Sequence, residues 1–116
     1  MSFFRRGRAG KEKKPVYEEV SQSELLYSKR KFGLVVVRGT VSGKPKLLTM
    51  RGIFGGMAHE HTTVFSLEKG VNVYFPGIAF LKDGEEVSVY GRFTPPNSLA
   101  ASKIETKNVT YELQLE

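Results

Sequence analysis

Ser88-Val89-Tyr90-Gly91-Arg92-Phe93 follows the turn Leu81-Lys82-Asp83-Gly84-Glu85 and runs into Thr94-Pro95-Pro96. Apolar and polar residues alternate through it, as they do in a strand with one buried face. A glycine in the interior of such a strand weakens it, unless the chain must bend or another backbone must come close. The same oddity stands upstream in Val35-Val36-Val37-Arg38-Gly39-Thr40-Val41. Two strands, each with an arginine beside an interior glycine, predict a small and sharply curved sheet.

Working outward, turn residues punctuate the chain at short, even intervals. Val35, Val37, Gly39 and Val41 share one face of the first strand, over residues 33–41. Ser42-Gly43-Lys44-Pro45 reads as a turn. A second strand is expected over residues 46–53, then a strand at 63–67 and another at 71–75. Ile78 to Leu81 reads as a short apolar connector, residues 85–94 as the strand quoted above, and residues 98–105 and 109–115 as the closing strand or pair. Five or six turn-bounded strands with almost no helix predict an all-β barrel or sandwich. Before them, residues 15–32 are expected to be an irregular or short-helix lead-in, with Ser21 or Ser23 as the helix cap.

The 116 residues, 40% of them hydrophobic, suit one globular domain. The net charge of +6 is unevenly placed. Residues 1–14 carry six basic side chains against one acid, while the rest holds 12 bases and 11 acids. Residues 1–14 therefore read as a disordered, basic arm, suited to phosphate, to an anionic membrane surface through Phe3 and Phe4, to a protein, or to solubility alone. With no cysteine, disulfides, thiolate metal sites and cysteine catalysis are excluded. Phe3 and Phe4 meet Arg5, Arg6 and Arg8 at once, with no apolar run behind them, so neither a secretory leader nor a membrane span is expected. The expected compartment is the cytoplasm.

No nucleophile elbow, phosphate loop or dinucleotide glycine motif is present, and Glu85 and Glu86 point to opposite faces of their strand. An enzyme is not expected. His59 and His61 would share a strand face, but no third or fourth ligand completes a metal site. No metal or other cofactor is expected.

Three segments, Val35–Val41 (VVVRGTV), Asp83–Phe93 (DGEEVSVYGRF) and Leu99–Leu113 (LAASKIETKNVTYEL), together resemble the OB-fold, a five-stranded Greek-key barrel. The likeness is one of pattern and covers residues 33–116 as the barrel. It implies that the first and fourth strands are neighbours, which would bring Gly39 and Gly91 together at one barrel corner. With Val87, Val89, Gly91 and Phe93 facing in, Tyr90 and Arg92 face out. By the same alternation Arg38 and Tyr74 face out. Tyrosine faces stack on bases, and arginine pairs with phosphate. The expected function is binding of single-stranded DNA or RNA through Arg38, Tyr74, Tyr90 and Arg92, helped by Arg5, Arg6 and Arg8. The alternative is a protein-interaction module on the same barrel, marked by exposed apolar residues around Ile53-Phe54 and Ile78–Phe80. Sheet-surface tyrosines and arginines also serve simply to cover apolar neighbours and to pair across strands.

Overall fold

A computed structural model describes residues 16–50 and 60–113. The elements, in chain order, are β1 (Glu18–Val20), α1 (Gln22–Tyr27), β2 (Leu34–Met50), β3 (Glu60–Leu67), β4 (Asn72–Phe75), β5 (Glu86–Thr94), β6 (Ser98–Glu105) and β7 (Thr110–Glu112). The basic arm, with Arg5, Arg6 and Arg8, lies outside the described residues, as do His59, Ile53 and Phe54.

Strands β2 to β6 form a closed five-stranded barrel, the small all-β architecture expected. Around the barrel the order is β2, β3, β4, β6, β5 and back to β2. Every pairing is antiparallel except β4 with β6, a parallel seam of three residue pairs: Asn72 with Ser98, Val73 with Leu99 and Tyr74 with Ala100. The alternation that predicted the strands is the one that fills the barrel. Val35, Val37 and Val41 from β2, Phe65 and Leu67 from β3, Val73 and Phe75 from β4, Val87 and Val89 from β5, and Leu99 and Ile104 from β6 are all buried. Burying each such side chain is worth roughly 1.5–3 kcal/mol. Between β4 and β5 the connector buries Ala79 and Leu81 in the same core. Thr63, itself buried, holds the connector there: its hydroxyl donates to the Gly77 carbonyl at 2.8 Å and accepts from the Ala79 N–H at 3.1 Å.

Two expectations about glycine need correcting. Ser42-Gly43-Lys44-Pro45 is not a turn. Strand β2 runs through it, and the pairing with β3 slips between Ser42 and Lys46. Gly43 adopts a φ of 85°, and its N–H donates to the Asp83 carboxylate at 2.9 Å. A bulge that bends a strand asks for the same left-handed residue as a turn. Nor do Gly39 and Gly91 share a corner. Strands β2 and β5 are neighbours, but Gly39 lies opposite Val87 and Gly91 opposite Val35, so the two sit at opposite ends of the ladder.

Each glycine has its own reason. At Gly91 the pairing of β5 with β6 slips: Gly91 faces Ala101 while Tyr90 faces Lys103, so Ser102 is the extra residue of a bulge. The bulge presses β6 onto the glycine, and a Cβ there would stand 2.0 Å from the Ala100 carbonyl oxygen. The strand carries Gly91 because another backbone lies where a side chain would be.

At Gly39 the neighbour is the Gln22 amide, with the Glu68 carboxylate and Leu67 close by. The lead-in is more ordered than its sequence suggests. β1 pairs parallel with β2, Glu18 opposite Val35 through Val20 opposite Val37. Ser21 caps α1, its hydroxyl accepting from the Glu24 N–H at 3.0 Å. Val20 and Leu25 join the core. Gln22 is buried yet fully partnered: its amide donates to the Arg38 carbonyl and the Glu68 carboxylate, and its oxygen accepts from the Lys69 N–H. Glu68 also accepts the Thr40 N–H at 2.7 Å. That backbone donor is the main cause that holds the Glu68 carboxyl below its ordinary value of 4.5, with Gln22 adding to it against some burial.

A carboxylate lowered in the folded state stabilises fully above its unfolded pKa, and that stabilisation is lost as pH falls through the folded value. The stability advantage of the wild type over Glu68→Gln is therefore greatest at neutral pH and shrinks as pH drops below 4.5. Urea midpoints of both proteins at neutral pH and at about pH 3 check this. The effect is modest, because Glu68 is solvent-exposed.

Candidate functional site

Alternation places the four predicted barrel residues on the outer face, and the strand registers then divide them into two pairs. Arg38 lies opposite Ser88 on β5, and Ser88 lies opposite Glu105 on β6. Two residues along, Val36 lies opposite Tyr90, and Tyr90 opposite Lys103. Arg38 and Tyr90 therefore belong to adjacent rows of one patch. Arg92 and Tyr74 belong to a different row, where both lie opposite Ala100 of β6, Arg92 through the antiparallel pairing and Tyr74 through the parallel seam.

Tyr90 points outward, but its ring is covered. Its hydroxyl donates to Glu105 Oε1 at 2.8 Å. The Tyr17 ring meets it edge-on, centroids 5.1 Å apart at 84°. Lys103 Nζ stands 4.9 Å from its centroid. Tyr17 is in turn tied down, its hydroxyl 3.3 Å from Ser102 Oγ. The Glu105 hydrogen bond, with burial behind it, raises the Tyr90 phenol above its ordinary value of 10. Tyr90 therefore staples the lead-in to β5 and β6 of the barrel. Arg38 is solvent-exposed and pairs with Glu19 at 3.6 Å. The shallow depression beside it, of about 770 Å³, also holds Glu86, Glu105 and Lys107. Its two carboxylates offset its two cations, so it offers a phosphate no net attraction.

The other row differs in kind. Tyr74 is 42% exposed and Arg92 is exposed. Arg92 has no ion-pair partner among the described residues. Ala100, exposed between them, leaves the sheet low at that point. The row continues on the far side of Tyr74: Tyr74 lies opposite Val64 of β3, and Val64 opposite Lys46 of β2. Lys46, also exposed, is a residue the sequence did not single out. Adjacent strands lie about 4.8 Å apart, so Tyr74 and Arg92, with one strand between them, stand roughly 10 Å apart. The result is a tyrosine ring with a cation two strands away on either side, on a strip that touches all five strands of the barrel.

No protein-family model and no characterised protein matches the chain. A phenol ring and two side-chain cations are groups suited to stacking and to contact with anions. His61, the one described histidine, has Nδ1 3.1 Å from the Thr49 hydroxyl. Among the described residues, no helix is long and apolar enough to cross a membrane.

Proposed function

We propose that the protein is a non-enzymatic module that binds single-stranded nucleic acid along the strip Lys46–Val64–Tyr74–Ala100–Arg92. The observation that carries this reading is the row itself, in which an exposed tyrosine and an exposed arginine with no ion-pair partner among the described residues flank a single alanine. A base stacks on Tyr74. Arg92 and Lys46 take phosphates on either side, and the low floor at Ala100 admits the sugar-phosphate chain. Stacking is sequence-tolerant because every base presents a π-face. The basic residues Arg5, Arg6 and Arg8 add salt-sensitive attraction.

The test is fluorescence polarisation with labelled oligo-dT and oligo-U at two salt concentrations. Tyr74→Ala removes about 1–3 kcal/mol of binding, a roughly 5- to 150-fold rise in Kd. Arg92→Ala lowers the slope of log K against log salt by about one. Tyr90→Phe, which touches only the staple, leaves Kd unchanged. Binding that ignores both Tyr74→Ala and Arg92→Ala sinks the assignment.

The protein-interaction reading has an observation of its own. Phe80 is 78% exposed, and it lines one shallow cleft with Leu47, 51% exposed, and Ile78, 43% exposed. Apolar side chains gathered in this way are a common mark of protein contact surfaces. Under that reading neither oligonucleotide binds at low salt, and Phe80→Ser is the variant that matters.

A further inference from the structure

Among the described residues, an apolar hollow lies at the mouth of the barrel between the lead-in and the β5–β6 turn. Its volume is about 560 Å³, inside the range of roughly 300–1,000 Å³ typical of ligand pockets. Leu25 and Leu26 of α1 form one wall, and Pro95 and Pro96 of the turn form the other. Phe32 and Phe93 make the floor, packed edge to face with centroids 6.1 Å apart.

The rim is Lys29-Arg30-Lys31, and its three cations are not equivalent. Arg30 is committed to the fold. It pairs with Glu18 and Glu24 and lies 4.0 Å over the Phe32 ring. Lys29 and Lys31 are exposed and have no ion-pair partner among the described residues. The one neutral polar side chain in the lining is Ser28, whose hydroxyl accepts the Arg30 N–H at 3.3 Å. One hydroxyl cannot satisfy the several polar groups on the edge of a nucleobase, and burying such an edge unpaired is costly. An apolar side chain carries no such cost, and two free ammonium groups beside it select an anion.

The geometry points to a docking site for an acidic peptide of a partner protein, which seats one or two bulky apolar side chains between Phe32, Leu26 and Pro96 and sets its carboxylates against Lys29 and Lys31. The hollow takes none of the strip's residues but adjoins its Arg92 end, since Phe93 of its floor follows Arg92 in β5. It places a partner protein and a nucleic acid on one barrel at the same time.

The test uses the full chain and a fluorescein-labelled short peptide of aspartates around a central leucine–phenylalanine pair. The peptide binds at low salt, and binding weakens as salt rises. Replacing its apolar pair by serines abolishes binding. Lys29→Glu combined with Lys31→Glu, both at exposed positions, weakens binding about tenfold, while the thermal melt of the variant matches wild type. Amide chemical-shift changes on titration centre on Leu26, Phe32 and Phe93, and unlabelled oligo-dT does not displace the peptide. An absence of binding at low salt, a Kd indifferent to the double charge reversal, or displacement by oligo-dT overturns the assignment. The last outcome would make the hollow part of a nucleic-acid site.

Discussion

Gly91→Ala leaves the barrel more than about 3 kcal/mol less stable, or unfolded. The added methyl would stand 2.0 Å from the Ala100 carbonyl oxygen and 2.8 Å from Ala101 Cα. Both obstacles are backbone, locked into the ladder between β5 and β6, so no side-chain rotation relieves the clash. The ladder must open at its bulge, and the buried neighbour Ala101 sits directly on that bulge. Gly39→Ala makes the contrast. Its obstacles are the Gln22 amide at 2.6 Å and the Glu68 carboxylate at 3.0 Å. These are ends of flexible side chains, and moving them costs the lead-in its latch but leaves the barrel intact, a loss of about 1 kcal/mol. Urea denaturation followed by circular dichroism separates the two. Equal midpoints for Gly91→Ala and Gly39→Ala would mean that the bulge at Ser102 is misplaced.

Leu99→Ala is the second large effect, about 2–5 kcal/mol. Leu99 is wholly buried and is the middle residue of the three-pair parallel seam. Truncating it leaves a cavity where the barrel closes through its shortest pairing. The same seam carries Tyr74 next to Ala100, so oligonucleotide affinity should fall together with stability. A conservative Leu99→Met variant, close in volume, restores most of both. Stability that drops by the expected amount with unchanged oligonucleotide binding would show that the strip does not depend on closure, and would move the binding site elsewhere.

The barrel was legible because its signal is local. Val35 and Val37, Val71 and Val73, and Val87 and Val89 each declare a buried face within a few residues. The lead-in was not. β1 is three residues long, too short to show a period, and it is held by Gln22, whose partners Glu68 and Lys69 lie far along the chain. The bulge at Gly43 looks like a turn in the sequence because both need the same residue. For the candidate site, alternation alone gave the outward direction of Arg38, Tyr74, Tyr90 and Arg92. Which of them stand together depends on strand register, and register is a property of pairs. Only the pairing shows Ala100 between Tyr74 and Arg92, or Tyr17 and Glu105 closing around Tyr90. Lys46 escaped notice for the same reason, since its place in the row follows from a slip of the ladder.

One consequence of the lead-in concerns solubility. Strand β2 spends one edge on β5 over Leu34–Thr40, and over Val35–Val37 its other edge is spent on β1. Three consecutive valines with free N–H and C=O groups would be a template for any extended chain that drifted past, including another copy of this one. Residues 18–20 therefore work as a guard rail. Six of the residues around them, Tyr17, Gln22, Tyr90, Ser102, Glu68 and Lys69, fasten that rail in place. Trimming the chain back to its barrel would remove little of the core and would uncover its stickiest surface.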